Sequence, residues 1–293
     1  MPFSPRSLGR TGLTVSPLGL ATGGGSLPAQ EIERAFERGI SCFYWGTARS
    51  SPFAEGLRGL ARTRRDRISI VVQTYTRAAC LMQGSLERAL RALGTDHTDV
   101  LLLGWWNQPP PARILDAALA LRERGLARHL MISCHDRNTF ATYAKNPAFG
   151  AIMVRYNAAH PGAETEVFPL LGEGRPGVVA YTATRWGHLL DPAMTPAGEA
   201  RPTPSDCYRF ALTHPSVDLA MCAPRDGAEL DLALATLERG PMTDDELSWM
   251  KRVGAHVKRA ASGRRKLNPI DALDRAASWF SPRAPSGADI TRD

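Results

Sequence analysis

The 293-residue chain is 43% hydrophobic and 22% charged, the balance of an ordinary globular protein rather than a disordered or membrane-spanning one. Its net charge of +7 is carried largely by arginines scattered over segments such as "ERAFERG" and "LRERGLARH", and the densest basic run, "KRVGAHVKRAASGRRK" at 251–266, lacks the interleaved aromatics of a nucleic-acid site. Five cysteines without C-x-x-C spacing argue against a disulfide frame and a zinc site, and the absence of an apolar leader in "MPFSPRSLGRTG" predicts a cytoplasmic protein whose partner is a small molecule, not nucleic acid or a membrane.

Eight apolar runs alternate with helical patterns. The predicted strands are "TVSPLGL" (14–20), "GISCFYW" (39–45), "RISIVVQT" (67–74), "TDVLLLG" (98–104), "ARHLMIS" (127–133), "GAIMVRY" (150–156), "PGVVAYT" (176–182) and "SVDLAMC" (216–222). Their Val, Ile and Leu content with little polar alternation fits parallel strands buried on both faces. Between them, "PAQEIERAFERG" starts at Pro28 and stops at Gly39. "SLERALRALG" takes Ser85 as its cap and Gly94 as its stop. "ARILDAALALRERG" and "GAELDLALATLERG" end at Gly125 and Gly240. Strand–helix alternation at this length predicts a (β/α)8 barrel over residues 1–266, and no G-x-G-x-x-G follows a strand to favour an open dinucleotide-binding sheet. Residues 267–293 read as a tail with one short amphipathic segment and a Pro/Ser/Gly-rich end.

Several segments together resemble the aldo-keto reductase family, over about residues 7–258. They are the opening "LGRTGLTVSPLGLATGG", "ALRERGLARHLMISCH" before and along strand five, and "MVRYNAAH", "VVAYTA" and "FALTHPSVDLAM" at strands six to eight. The resemblance implies the same barrel with an N-terminal β-hairpin, and an active site at the C-terminal mouth of the strands. It also implies four catalytic positions: an aspartate and a tyrosine after strand two, a lysine ending strand three and a histidine ending strand four. Aligned on Phe43, "CFYWGTARSS" puts Tyr44 at the aspartate position and Arg49 at the tyrosine position; shifting the frame to "TA" gives Gly46 and Ser51. Gln73 takes the lysine position and Gly104 the histidine position. Without a lysine and an aspartate, nothing lowers a tyrosine from near 10 toward working pH, so the family's usual proton donor is missing.

The resemblance also implies NADP(H), held by a Ser-Asn pair after strand five, a Gln on strand six, an aromatic on strand seven and basic residues after strand eight. Here Ser133 and Tyr181 keep the family's residue types, while Cys134 and Met153 replace the Asn and the Gln. Asn157 is a further candidate cofactor contact, and Arg225 can pair with a phosphate, opposed by Asp226.

Eight of the twelve Trp and Tyr residues fall at predicted strand ends: Tyr44, Trp45, Tyr75, Trp105, Trp106, Tyr156, Tyr181 and Trp186. They read as an aromatic pocket for a flat or apolar ligand, a small aromatic or apolar organic substrate, with Tyr156 and Tyr181 also able to serve as core layers. Polar candidates at the same rim are Gln73, Arg155, Arg185, Asn157 and His135, with Asp136 a cap for the next helix. His135 is the histidine expected at the mouth, able to act as a general base near neutral pH. Tyr75 or Tyr44 can donate a proton, and Arg49 can hold an anionic group. Three readings stay open: an atypical enzyme, redox or non-redox, built on these residues; an ordinary NADPH carbonyl reductase with a different proton donor; and a ligand-binding protein without catalysis. No Asp/Glu/His spacing suggests a metal.

Overall fold

The computed structural model describes residues 2–23, 27–46 and 51–263. In chain order the elements are β1 (Arg6–Ser7), β2 (Thr14–Val15), β3 (Leu18–Ala21), α1 (Ala29–Glu37), β4 (Cys42–Trp45), α2 (Ser51–Arg64) and β5 (Ser69–Thr74). Then come α3 (Ala79–Leu93), β6 (Thr98–Leu103), α4 (Ala112–Glu123), β7 (Ala127–Ser133), α5 (Phe140–Lys145), β8 (Phe149–Arg155) and α6 (Ala163–Glu166). The last are β9 (Gly177–Tyr181), α7 (Pro204–Thr213), β10 (Leu219–Cys222), α8 (Gly227–Arg239) and α9 (Asp244–Gly263).

Strands β3 to β10 pair in sequence order, all parallel, and β10 closes onto β3. This is the predicted (β/α)8 barrel. The hairpin of β1 and β2 lies at its N-terminal end, where Leu8 and Val15 join the apolar contents of the lumen. Side chains alternate along each strand. One set fills the barrel: Cys42, Tyr44, Val71, Val100, Leu102, Met131, Ala151, Met153, Val179, Leu219 and Met221. The other set, with Phe43, Trp45, Val72, Leu101, Ile132 and Val154, packs outward against the helices in the larger core. Each such aliphatic side chain, removed from water, contributes about 1.5–3 kcal/mol.

Two sequence expectations need correction. The run 14–20 is not one strand. Pro17 has no N–H to give a ladder, so the chain breaks there into β2 and β3, and the Pro17 carbonyl instead accepts from Ala220 N at 2.8 Å. Helix α3 begins at Ala79, so Ser85 lies inside it rather than capping it. Buried Met82, Leu86, Leu90 and Leu93 form one stripe, and that stripe carries the helix through Gly84 and Ser85. The predicted stop holds: Gly94 is left-handed at φ 64°. The boundary at 266 and the tail 267–293 lie outside the described residues.

One long-range contact matters for the site. The Cα of Gly254 on α9 sits so close to the loop after β8 that a β-carbon there would lie 2.1 Å from the Ala158 carbonyl oxygen. Only glycine permits this approach, and it brings the last turns of α9 down to the barrel mouth. Among the described residues no helix is long and apolar enough to cross a membrane.

Candidate active site

The C-terminal ends of β4, β5 and β6 form one side of the mouth. Tyr44 and Gln73 project into the lumen, both nearly inaccessible, and the Tyr44 hydroxyl donates to Gln73 Oε1. Gly104 stands directly after β6. A β-carbon at Gly104 would lie 2.2 Å from Gln73 Nε2 and 2.8 Å from the ring of Tyr75. The Gln73 amide and Tyr75 thus occupy the space a side chain at 104 would need. The positions interlock sterically, with Tyr44 and Gln73 hydrogen-bonded and no carboxylate, lysine or histidine among them.

A row of rings crosses the mouth from this side to the other. Tyr75 meets Trp105 edge-on at 5.6 Å between centroids, Trp105 meets His135 at 5.4 Å, and His135 lies roughly parallel to Tyr181 at 6.2 Å. Trp105 is held at φ 54° while its N–H donates to Ser133 Oγ at 3.0 Å. Arg77 clamps the same turn, donating to the carbonyls of Gly104 (3.0 Å) and Trp105 (2.6 Å) and lying 3.9 Å over the Trp106 ring. Trp106 therefore packs outward, against the larger core and beneath Arg77.

The ends of β7, β8 and β9 form the opposite side, and it is cationic. Arg155 follows Met153 on the lumen face of β8. Its guanidinium reaches His135 Nδ1 at 3.4 Å and lies 5.3 Å over the ring of Trp186. A guanidinium only donates, so this long contact is a hydrogen bond only where Nδ1 presents its lone pair. Arg185 donates to the Val257 carbonyl on α9 at 3.4 Å, next to Lys258. His160, in the loop after β8, has a buried Nδ1 with no hydrogen-bond partner among the described residues. Burial first, and then Arg185, Arg155, Lys258 and Arg137, draw its titration down to about 4, so the ring is neutral at ordinary pH.

Backbone strain concentrates here. Among the described residues four non-glycine residues have left-handed φ: Trp105 (54°), Thr182 (56°), Arg185 (52°) and Trp186 (52°). Each costs on the order of 1–3 kcal/mol, and all four sit at the mouth. Three belong to the single loop after β9. Asn157 braces that loop: its Nδ2 donates to Thr182 O at 2.8 Å and its Oδ1 accepts from Ala159 N and His160 N.

The structure thus brings together Tyr44, Gln73, Tyr75, Trp105, His135, Arg155, Tyr181, Arg185 and Trp186. It places other sequence candidates elsewhere. Trp45 follows inward-facing Tyr44, so it turns outward and packs among Phe53 and Leu57 beneath α2. Tyr156 is buried against Phe168 and Phe210, its hydroxyl donating to Glu164 at 2.7 Å, and burial pushes its phenol far above the usual range. Neither lines the lumen. The Cys134 thiol donates to Asp136 O at 2.9 Å, and burial pushes it up to about 12, which removes it as a nucleophile. Arg225 is exposed and paired with Glu229. Asp136 does cap a turn, accepting from Asn138 N at 3.1 Å. Arg49 lies outside the described residues. Sequence reasoning missed His160, Arg137 and Lys258. The only local signal was a histidine four residues after the last strand-six aromatic, in "YNAAH".

No family model matches the chain. Its fold is similar to solved aldo-keto reductases. One from Bacillus halodurans, in its holo form, has a TM-score of 0.73 at 19% identity, over 85% of this chain and 95% of that one. One from Klebsiella pneumoniae, in complex with NADP and acetate, gives 0.66 at 20% identity over 84% and 94%. Another from Klebsiella pneumoniae, in complex with NADPH, gives 0.67 at 20% over 86% and 96%. At these identities the likeness is one of fold.

Proposed function

We propose that this chain is an enzyme of aldo-keto-reductase fold that acts on a small aromatic organic compound at the barrel mouth, with its proton chemistry moved from the Tyr44, Gln73 and Gly104 positions to His135. The observation that carries this reading is the interlock of those three positions. Gln73 and Tyr75 occupy the space a larger side chain at 104 would need, and Tyr44 closes on Gln73. Such mutual fit marks a rebuilt site rather than a decayed one. The ring of His135, at the centre of the ring row and beside Arg155, is the group best placed to exchange a proton with a substrate oxygen.

NADP(H) belongs to this reading because structural neighbours are solved with it and Tyr181 offers a ring at the lumen edge. The fit is partial. Ser133 keeps its hydroxyl but spends it on Trp105, Cys134 turns to Asp136, and Met153 brings no amide. When bound, the cofactor would supply a hydride. A plain carbonyl reductase is the second reading, favoured by those same neighbours.

The test is NADPH binding to the purified protein, followed by turnover screens of carbonyl compounds with cofactor and of candidate lyase and isomerase substrates without it. On any substrate found, His135→Ala is expected to lower turnover about 10²-fold or more, and Tyr44→Phe to leave it nearly unchanged. The opposite pattern would return the chemistry to the tyrosine.

A further inference from the structure

His135 stands just past the end of β7, where the strand ladder no longer holds the chain. The last rungs run from Trp106 N to the Ser133 carbonyl and from Trp105 N to Ser133 Oγ, both at 3.0 Å. Beyond them the N–H groups of His135 and Asp136 have no strand opposite, and main-chain donors need a partner. Asn107 supplies one. Its side-chain Oδ1 accepts from His135 N at 2.9 Å and from Asp136 N at 3.3 Å, and the Cys134 thiol lies 3.6 Å from the same oxygen. One oxygen thus gathers the turn 134–136, as the carbonyl of a further ladder step would. Asn107 is itself fixed. Its carbonyl accepts from Thr139 Oγ1 at 2.7 Å, and the buried Tyr143 hydroxyl donates to the neighbouring Trp106 carbonyl at 2.6 Å, with the Gln108 carbonyl 2.8 Å away. Pro109, Pro110 and Pro111 follow, each with its φ locked by its ring, before α4 begins at Ala112. The same short loop presents Trp105, whose ring meets His135 edge-on. The loop after β6 therefore grips His135 twice, by its main chain through Asn107 and by its ring through Trp105.

We propose that Asn107 is a positioning residue for His135. Its side-chain oxygen anchors the main chain that carries the imidazole, so the ring keeps its place between Trp105 and Tyr181 and beside Arg155. A proton-exchanging group loses rate steeply when displaced by about 1 Å, so the anchor acts on rate more than on binding. The inference rests on the reading of His135 as that group and adds the residue that holds it in place. The groups facing the ring among the described residues include Arg155 from β8, Tyr181 from β9 and Trp105 from the loop after β6, with Cys134 and Asp136 beside it on its own turn. A residue that only stabilised the turn would leave the surroundings and titration of the ring unchanged once the chain is folded.

The test is NMR titration of the full-length protein with isotope-labelled histidine rings; the spectrum of His135→Ala identifies the His135 signal among the seven histidines. Asn107→Ala is expected to move that signal and its titration midpoint while the other histidines stay where they are. Asn107→Asp keeps an acceptor oxygen in the same place. It should return the signal of the neutral ring to its parent position and raise the midpoint, because the added carboxylate favours the charged imidazole. Circular dichroism checks that both variants are folded. On a substrate found in the screen, Asn107→Ala should lower kcat roughly tenfold with KM within twofold, and Asn107→Asp should recover most of the rate with its pH profile displaced upward. A folded Asn107→Ala variant with the parent's His135 signal and midpoint would overturn the inference and leave Asn107 as a turn residue. An Asn107→Asp variant that fails to restore the signal would overturn it as well. A shifted signal in Asn107→Ala together with full turnover by His135→Ala would keep the positioning and overturn the proton role beneath it.

Discussion

The two sides of the barrel mouth solve different problems. On the β4–β6 side the polar groups satisfy each other: Tyr44 donates to Gln73, and Gly104 makes room for both Gln73 and Tyr75. The hydrogen-bonded pair is neutral, and the charged Arg77 beside it is spent on the carbonyls of Gly104 and Trp105. On the β7–β9 side, Arg155 and Arg185 crowd a neutral His160, and three residues of one loop hold left-handed backbone. A region that only needs to be stable can relax into the first arrangement. Backbone strain persists only where the surrounding structure over-determines it, and on this side it does.

The contrast can be broken most forcefully at Gly104. Gly104→Ala drives a β-carbon into Gln73 and Tyr75 and is expected to cost about 1–3 kcal/mol in urea denaturation. Adding Gln73→Ala should recover much of that loss, because the two changes share one space. Simple additivity would mean that the positions are independent.

The next effect is a pH dependence confined to the charged half. His160 titrates at about 4 in the folded chain and near 6.5 unfolded, so the unfolded chain takes up a proton that the folded one refuses. The contribution is whole above about pH 6.5 and is lost as pH falls toward 4, on the order of 2 kcal/mol for this partly buried ring. Burial of the ring sets it first, and Arg185, Arg155, Lys258 and Arg137 add to it. The parent should lose stability relative to His160→Asn as pH falls from about 6.5 toward 4; parallel profiles would show that the folded ring takes up its proton as readily as the unfolded one.

A smaller change sharpens the account of strain. Arg185→Gly relieves a φ of 52° and removes one cation from the group, so stability should rise by about 1 kcal/mol. A loss of stability would show that the loop is not strained for function.

Much of the fold was legible because the physics is local. Eight buried apolar runs, each closed by a glycine-stopped helix or a polar loop, leave few architectures, and the strands lie within a few residues of their predicted spans. The errors also have local causes: Pro17 cut a run that looked continuous, and the stripe from Met82 to Leu93 overrode Ser85. The site was less legible. Position at a strand end put Trp45 beside Tyr44, but alternation sends adjacent residues to opposite faces, so only Tyr44 enters the lumen. Tyr156 was lost to the outer core by the same parity, following inward Arg155. His160 and Lys258 depend on how α9 docks on the β8 loop, a contact set by Gly254 against Ala158 that no spacing reveals. That Gln73 and Tyr75 fill the space beside Gly104 is a matter of three-dimensional packing that spacing does not reveal.

The most direct test of the central claim compares one variant from each side in one experiment. Turnover of a substrate found in the screen is measured for Tyr44→Phe, which removes only the hydroxyl that donates to Gln73, and for His135→Ala. The account predicts that Tyr44→Phe stays within twofold of the parent while His135→Ala loses about 10²-fold or more. A loss of that size at Tyr44 with His135→Ala unchanged would contradict it.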